Sequence, residues 1–554
     1  MLNIILTLLI SMPPNPFAKT AFHEPKKPGR MDMGPGFIPA PPDSMKALIL
    51  LVDFSDNPAT YSAADFDSLI FGMNENSMRR YYSEVSYNEF TISRSSQVVG
   101  PLRMTKLYHD YTDHNFGFGS YPDNVQGLVM DACTQAEPLV IFADFDQDGD
   151  GYVDAIFIVH AGPGAEETGD STDIWSHQWQ LSDGSNGCPG PYNSPDGVAV
   201  DMYSMEPEEM QSTSSRITCG VFVHEFGHQL GLPDLYDRDY STNGLGLFCL
   251  MAAGSWGGSG STHDGSSPSH PCAWIKYQLG WVTPLAVERT TVSRRENQML
   301  ASSATSPSSV RLMEDPGGPD WTANGGMGEY FLVENRYRTG FDQSLPGDGL
   351  LILHCDDTRR SISGEQNDDE DHPLVGIMQA DGDAAFLLSD WGVAADLWQN
   401  DSSGFGQSST PPSWDYSNNP TGVSVYDISA SGTSMTASFW IAPVLFGRVA
   451  AYPNPFRVDR LPSWGRKVVF TYYPSDTTEL GDQFPMFKVS IFNLAGERVR
   501  VLEGSGVVDQ YRRSAYWDLT NDEHDQVVSG MYLFIIETTG ENVQRSKGRL
   551  TVIR

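Results

Sequence analysis

The fold is decided by the stretch VHEFGHQLGLPD at residues 223–234. Residues four apart lie on one face of a helix, so this spacing lets His224 and His228 direct their imidazoles at one metal ion. Glu225, beside the first histidine, can hold a water molecule at that ion without binding the metal itself. The alternative is a helix with two incidental histidines, and the longer pattern around the pair disfavours it.

The end of the same stretch predicts a third metal ligand. Gly231 allows the chain to leave the helix in a left-handed turn, and Pro233 prevents the helix from continuing. We expect that turn to bring Asp234 back towards the metal. Two histidines and one carboxylate leave a fourth position open, as a catalytic zinc site requires.

Composition limits the classes of function around this motif. The 554 residues include 71 acidic and 35 basic side chains, for a formal net charge of −36. Such an excess of negative charge argues against a nucleic-acid partner, because phosphates would be repelled. Residues 446–554 carry 14 basic and 13 acidic side chains, so the whole excess lies before them and marks a domain boundary.

The start of the chain contains one apolar run, LNIILTLLI at residues 2–10. It is too short for a membrane span and has the length of a signal-peptide core, which predicts a signal peptide at residues 1–20. A buried strand is the alternative, although Pro13, Pro14 and Pro16 follow at once. Residues 21–44 are predicted to be a linker or short prosegment, and we expect no transmembrane anchor.

The remaining chain divides into three modules of a multidomain α+β protein. Residues 45–284 read as a mixed α/β domain with buried strands at 47–52 and 155–159 and a helix capped by Ser77. Residues 285–445 show short β runs between turn residues, which predict a β-rich domain. Residues 446–554 have the length and alternation of a small immunoglobulin-like β-sandwich.

An acidic loop at residues 144–154 predicts a calcium site. With Asp146 as position one, Asp148, Asp150 and Asp154 supply carboxylates at positions three, five and nine, and a glycine stands at six. A strand residue, Phe157, occupies position twelve, so the loop is not an EF-hand and needs a ligand from elsewhere. The alternative is a solvated acidic turn. Other acidic groups, at 206–209 and 367–371, are expected to be solvated surface.

Several segments are similar to the immune inhibitor A family of secreted zinc metalloproteases, within the metzincin clan. They are LVDFSD from Leu51, MRRYYSEVSYNEF from Met78, DQDGDGYVDAIFIVHAGPGAEE from Asp146, HEFGHQLGLPDLYD from His224, PSHPCAWIKYQLGW from Pro268, YFLVENRYRTGFD from Tyr330 and LPGDGLLILHCDD from Leu345. The resemblance implies a metzincin-like α/β catalytic domain, zinc bound by His224, His228 and Asp234, and Glu225 as general base and acid.

The resemblance also implies a turn containing a methionine beneath the metal, the Met-turn, and CLMAAGSW at residues 249–256 places Met251 in that role. Many metzincins carry a tyrosine two residues after this methionine, where this chain has Ala253. An oxyanion donor must then come from elsewhere, with Tyr236 and Tyr240 as candidates.

The last hundred residues resemble a second family. YPNPF from Tyr452, VSIFNLAGE from Val489 and SGMY from Ser529 are similar to the C-terminal sorting domains of the type IX secretion pathway, which have a FlgD-like immunoglobulin fold. The resemblance implies the secretion machinery as a partner and a location outside the cell or at its surface. An ordinary adhesive β-sandwich is the alternative.

These features together predict a secreted zinc endopeptidase that hydrolyses peptide bonds in extracellular proteins, with Zn²⁺ and a proposed Ca²⁺ as ions. Two alternatives stay open: an inactive surface-binding protein that keeps the protease fold, and a zinc hydrolase of non-peptide amides or esters. The six cysteines form no CxxC pair, and their disulfide pairing cannot be chosen from the sequence.

Overall fold

The structure is a computed structural model that describes residues 10–13, 42–73, 76–239, 241–258, 263–289, 292–315, 328–361, 367–382, 390–442, 448–461, 465–473, 487–504, 506–509, 512–538 and 545–554. Most of the predicted signal peptide and linker, and Tyr240, lie outside these residues. No helix among the described residues is both long and apolar enough to cross a bilayer.

The first module is built on a mixed sheet with the strand order β1-β7-β10-β6-β3-β5, and β11 pairs with β10. The four strands from β10 to β5 are mutually parallel, whereas β7 runs antiparallel to β10 near one edge. The strands of this module are β1 Ile10–Ser11, β2 Ser44–Met45, β3 Leu48–Asp53, β4 Thr91–Ile92, β5 Gln97–Arg103, β6 Ile156–Pro163, β7 His177–Gln180, β8 Tyr192–Asn193, β9 Ala199–Val200, β10 Met202–Met210 and β11 Ser215–Arg216.

Both faces of this sheet are covered, which explains its continuous apolar runs. All six residues of β3 are buried, as expected for a central parallel strand. Its alternate side chains enter two separate apolar cores, Ile49 and Leu51 on one face and Leu48, Leu50 and Val52 on the other. The predicted strands at 47–52 and 155–159 are therefore confirmed.

Seven α-helices lie among the described residues of the first module, and the predicted cap of one of them is confirmed. Ser77 precedes α2, and its side chain accepts a hydrogen bond from the Arg80 amide. The helices are α1 Ala63–Phe71, α2 Met78–Val85, α3 Tyr108–Thr112, α4 Val125–Ala136, α5 Ala165–Thr168, α6 Cys219–Gln229 and α7 Ala273–Gln278.

The second module is β-rich, as the sequence predicts. Its strands form one sheet in the order β12-β14-β15-β16-β17 and another in the order β13-β19-β18, and the two share one apolar core. The strands are β12 Leu285–Val287, β13 Arg294–Ala301, β14 Ser309–Leu312, β15 Glu329–Arg336, β16 Gly349–Asp356, β17 Val375–Ile377, β18 Val423–Tyr426 and β19 Ser434–Ile441.

The C-terminal module contains a four-stranded sheet β20-β22-β26-β25 and a five-stranded sheet β21-β28-β27-β23-β24 around one core. The multidomain, β-rich organisation is thus confirmed, while the metzincin-like and immunoglobulin-like assignments remain predictions. The strands are β20 Arg448–Tyr452, β21 Phe456–Arg457, β22 Val468–Tyr473, β23 Phe487–Phe492, β24 Arg498–Gly504, β25 Gly506–Asp509, β26 Arg512–Trp517, β27 Gly530–Thr538 and β28 Arg545–Ile553.

Candidate metal centre

Helix α6 carries the histidine pair, and its end has the predicted turn. The helix ends at Gln229 with Leu230 as its C-cap, and Gly231 follows with φ of +83°, a conformation that favours glycine. The Leu232 amide then donates to the Gly227 carbonyl across 3.1 Å, which closes the turn. This local geometry returns the chain towards the helix at Asp234.

The three predicted ligands converge on one point. The Nε2 atoms of His224 and His228 lie 3.2 Å apart. Asp234 Oδ1 lies 3.4 Å from the first of these nitrogens and 3.3 Å from the second. All three side chains are buried, so the atoms form a small, nearly equilateral triangle beneath the surface.

Backbone carbonyls fix the orientation of both imidazoles. His224 Nδ1 lies 3.0 Å from the Leu250 carbonyl oxygen, and His228 Nδ1 lies 2.9 Å from the Leu232 carbonyl oxygen. A carbonyl can only accept, so each Nδ1 carries the proton and each Nε2 presents a lone pair. Burial lowers the pKa of His228, which favours the neutral imidazole that binds metals.

The predicted Met-turn packs directly under the helix. An added Cβ at Gly227 would lie 2.6 Å from the Met251 sulfur, so only glycine leaves room for that side chain. The Met251 carbonyl accepts a hydrogen bond of 2.7 Å from the Leu235 amide, beside Asp234. The turn at 249–251 therefore contacts the backbone of one ligand segment and the side chain of another ligand, His224.

Glu225 follows the first histidine and is fully buried. It therefore lies inside the protein next to the ligand triangle along the helix. Tyr236, one of the two candidate oxyanion donors, is also buried. The other, Tyr240, is outside the described residues.

The sheet edge beside the metal centre holds a short extended segment. Strand β1 pairs antiparallel with β7, and the Met12 amide continues the pairing by donating to the Ser176 carbonyl. Two indole N–H groups donate to carbonyls of this segment, Trp175 to Met12 and Trp256 to Pro13, each across 3.0 Å. Ile10–Ser11, at the end of the apolar run, thus form a short strand, whereas residues 1–9 lie outside the described residues, so the signal peptide and its alternative, a buried strand, both remain predictions.

The acidic loop brings three of its four predicted calcium ligands together. Oxygens of Asp146, Asp148 and Asp154 lie within 4.8 Å of one another, whereas Asp150 is not in that group and its carboxylate accepts from the Tyr152 amide. Burial and the neighbouring carboxylates raise the pKa of Asp154 to about 6. The glycine of position six, Gly151, has φ of +91°, so the turn requires it.

Some acidic residues expected at the surface are buried, so that expectation was wrong for them. Glu206 is fully buried and Glu208 is 3% exposed, because both face the interior where β10 ends beside β6. Asn367 is 2% exposed, and its amide donates to the Leu235 and Val375 carbonyls. The sequence signal is weak here, since three glutamates in four residues are typical of solvated surface.

All six cysteines lie among the described residues and are buried free thiols: Cys133, Cys188, Cys219, Cys249, Cys272 and Cys355. The side chains of Cys249 and Cys272 interact with each other next to the Met-turn.

Comparison with known proteins finds a family model that matches the part of the chain around the site. Residues 42–282 match the family model described as "Immune inhibitor A peptidase M6, catalytic domain". The pre-pro-metalloprotease PrtV of Vibrio cholerae serotype O1 is 29% identical over 284 residues, which cover 42% of this chain and 29% of PrtV. Immune inhibitor A of Bacillus thuringiensis subsp. alesti is 30% identical over 279 residues, 41% of this chain and 39% of that protein.

These matches support a metalloprotease, and they support the immune inhibitor A family for residues 42–282. The chain spans well under half of the length of either relative, 29% of PrtV and 39% of immune inhibitor A. A metalloprotease requires a metal ion and acts on proteins.

Similar solved structures include two from Porphyromonas gingivalis. The dimeric latent PorU is 17% identical with a TM-score of 0.16, covering 22% of this chain and 14% of PorU. PorZ, described as a surface component of the type-IX secretion system, is 18% identical with a TM-score of 0.15, covering 25% of this chain and 16% of PorZ. Scores this low carry no argument about fold or function.

Proposed function

We propose that the chain is a zinc endopeptidase with His224, His228 and Asp234 as ligands. The ligand triangle carries this proposal. A tetrahedral zinc ion with ligands at about 2.0–2.1 Å requires ligand atoms about 3.3 Å apart. The three separations of 3.2, 3.4 and 3.3 Å meet that requirement, and they come from two nitrogens and one carboxylate oxygen, which are ligand types that zinc prefers.

Zinc bound here supplies a Lewis acid for the scissile carbonyl and an acidified water molecule. The role of Glu225 is to take the proton from the attacking water and return it to the leaving amine. The histidines keep their Nδ1 protons on backbone carbonyls throughout, which holds both Nε2 lone pairs in place. Burial of all four side chains excludes bulk water and strengthens each of these interactions.

An extended peptide is the substrate that the sheet edge fits best. Strand β7 is antiparallel to its neighbour β10, and it already binds residues 10–13 as an added strand. A substrate in the same position would gain main-chain hydrogen bonds from β7 and two donors from Trp175 and Trp256. This arrangement favours peptide bonds over small esters or amides, which have no main chain to pair.

The fold class and location follow from the same proposal. We assign residues 45–284 to a metzincin-like catalytic domain, with Met251 as the methionine of the Met-turn and Gly231 as the helix-ending turn. Residues 446–554 are proposed to be an immunoglobulin-like sorting domain that the secretion machinery recognises, after a signal peptide at residues 1–20. The protein would then act outside the cell or at its surface.

A calcium ion is proposed as a second metal, at Asp146, Asp148 and Asp154, with Asp150 as a ligand only if its side chain turns inward. Hard carboxylate oxygens around a glycine turn suit Ca²⁺. The raised pKa of Asp154 supports this site, because a cation would relieve the repulsion among the carboxylates.

The test of the proposed function combines metal content with peptidase activity. In Glu225→Gln we expect one zinc per chain and an activity loss of about 10²–10⁴-fold, the usual contribution of a general base. In His228→Ala we expect loss of both zinc and activity. The control is His109→Ala, an exposed histidine that should change neither.

Two results would overturn the proposal. Full peptidase activity in Glu225→Gln would remove the assigned base. A wild-type chain that binds zinc but cleaves no peptide in a broad library would be either an inactive binding protein or, if it cleaves ester and amide probes in a chelator-sensitive way, a non-peptide hydrolase.

A further inference from the structure

We propose that Arg336, which lies in the second module, is a positioning residue for the metal centre of the first module. It acts through the backbone of the Met-turn, without contact to substrate or metal. This inference rests on the proposed function, since it concerns the same ligands.

Arg336 is the last residue of β15 and is fully buried. Its guanidinium forms a two-point pair with Asp342, at 2.6 Å from Nη2 to Oδ1 and 3.1 Å from Nε to Oδ2. The remaining nitrogen, Nη1, donates to the Phe248 carbonyl across 2.6 Å. Glu334 Oε1 lies 3.5 Å from Nη1, so a second carboxylate also faces the buried guanidinium.

The carbonyl that Arg336 holds lies immediately before the Met-turn. Two residues further on, the Leu250 carbonyl accepts from His224 Nδ1, and the Met251 carbonyl accepts from the Leu235 amide next to Asp234. A shift of the chain at Phe248 would therefore move the anchors of two of the three proposed ligands together. Their mutual distances leave little tolerance, because zinc ligation requires about 0.2 Å accuracy.

Asp342 is itself held in place by hydrogen bonds, and this fixes the position of the carboxylate that binds Arg336. Its Oδ1 accepts a hydrogen bond of 2.8 Å from the His270 amide, ahead of α7. The His270 Nε2 atom lies 3.1 Å from Glu84 Oε1 on α2. The anchor of Arg336 thus includes elements of both modules.

Stability alone is a poor explanation for this arrangement. Taking a guanidinium and two carboxylates out of water is costly, and apolar residues of similar volume often give equal or greater stability. An arginine adds a planar guanidinium group whose N–H donors point in fixed directions. Here Nε and Nη2 of the guanidinium donate to Asp342 and Nη1 donates to the Phe248 carbonyl, so the side chain fixes the position of that carbonyl.

The experiment uses the full chain and compares Arg336→Lys with Arg338→Lys. Arg338 forms the same kind of two-point pair, with Asp348, but is about half exposed and has no contact with the Met-turn. We measure zinc affinity by competition with a chelator, the visible spectrum of the cobalt-substituted protein, and kcat and KM separately.

For Arg336→Lys we expect zinc affinity to fall about 10–100-fold, as for other residues that orient metal ligands. We also expect a changed cobalt spectrum and a lower kcat with an unchanged KM, because substrate contacts stay intact. Arg338→Lys should match the wild type in all three measurements. A folded Arg336→Lys protein with wild-type zinc affinity, spectrum and kcat would overturn the proposal.

A second variant tests the proposed role of Arg336 if Arg336→Lys does not fold. Asp342→Asn keeps the arginine and the shape of its partner but removes the charge, so it should give the same changes, smaller in size. Wild-type values in Asp342→Asn would overturn the proposal. If the wild-type chain itself binds no zinc, the proposed function fails instead, so the two failures are distinguishable.

Discussion

Gly227 offers a sharp test of how the proposed Met-turn supports the proposed metal centre. In Gly227→Ala the added methyl would lie 2.6 Å from Met251 Sδ and 3.2 Å from its Cε. Ordinary contacts between such atoms are about 3.5–4.0 Å, so the methionine must move by roughly 1 Å. The movement would carry the turn that anchors His224 and the segment after Asp234.

Two opposing effects set the stability of this variant. Alanine is about 1 kcal/mol better than glycine inside a helix. Overpacking a filled core costs about 1–3 kcal/mol. The net effect is a loss of up to about 2 kcal/mol, and because about 1 kcal/mol shifts the Tm of a 150–250-residue domain by 2–4 °C, the catalytic transition should fall by up to about 8 °C.

The assay is calorimetry of the full chain with and without zinc, together with zinc affinity. We expect affinity to drop about 10–100-fold, because the anchors of two ligands move. Gly184→Ala is the matched control, since nothing lies within 4 Å of its added methyl and its φ is not positive. That variant should keep wild-type affinity and Tm.

A double variant separates the steric clash from other effects. Met251→Ala alone removes a buried side chain and should cost about 2–5 kcal/mol. In Gly227→Ala/Met251→Ala the new methyl enters the vacated space, so the loss should be smaller than the sum of the single losses. The reasoning is refuted if Gly227→Ala raises Tm and leaves zinc affinity unchanged, as helix propensity alone would give.

Three further predictions concern other parts of the first module. Burial and the nearby Glu166 raise the pKa of Glu206 well above its usual value. Above pH of about 4.5 the unfolded chain has released this proton whereas the native protein still binds it, so the free energy of unfolding should fall as pH rises. Glu206→Gln should therefore raise Tm at pH 8 and flatten the pH profile, while a lower Tm at pH 8 would show an ionised, cation-paired Glu206. Trp256→Phe removes one hydrogen-bond donor to an extended peptide substrate and should raise KM about 2–12-fold, the equivalent of one hydrogen bond. The control is Trp179→Phe, which should leave KM unchanged because the Trp179 indole donates to Asp183 on the other face of the sheet. Added Ca²⁺ at constant zinc should raise Tm, and Asp146→Asn should abolish that increase; an equal increase in the variant would favour a solvated turn.

Local sequence patterns were enough to predict much of the architecture. The all-apolar run ending at Asp53 predicts a central strand because parallel strands are covered on both faces. Ser77 predicts a helix start because its hydroxyl can accept from a free amide. The turn at Gly231 follows from φ that only glycine adopts readily, and it is this turn that brings Asp234 to the histidines.

The sequence could not show interactions between segments that are far apart. The contact of Arg336 with Phe248 joins residues 88 positions apart, and no spacing rule relates an arginine to a carbonyl. Glu206 is misread for a similar reason. Its neighbours along the chain are acidic and typical of surface, and only the tertiary structure, which buries its side chain near Glu166, shows that it lies in the interior.

The predicted boundary between the first two modules does not divide the proposed metal centre from its support. The family match ends at residue 282, yet the guanidinium that holds the Met-turn comes from β15, some fifty residues later. The same region supplies Glu334, whose carboxylate accepts from the Ala273 amide at the start of α7. A chain cut after residue 284 would remove these two hydrogen bonds, each with a net contribution of about 0.5–1.5 kcal/mol. It would also expose the apolar core that Leu332, Leu351 and Leu353 share with the first module. We therefore expect the isolated first module to bind zinc more weakly than the full chain.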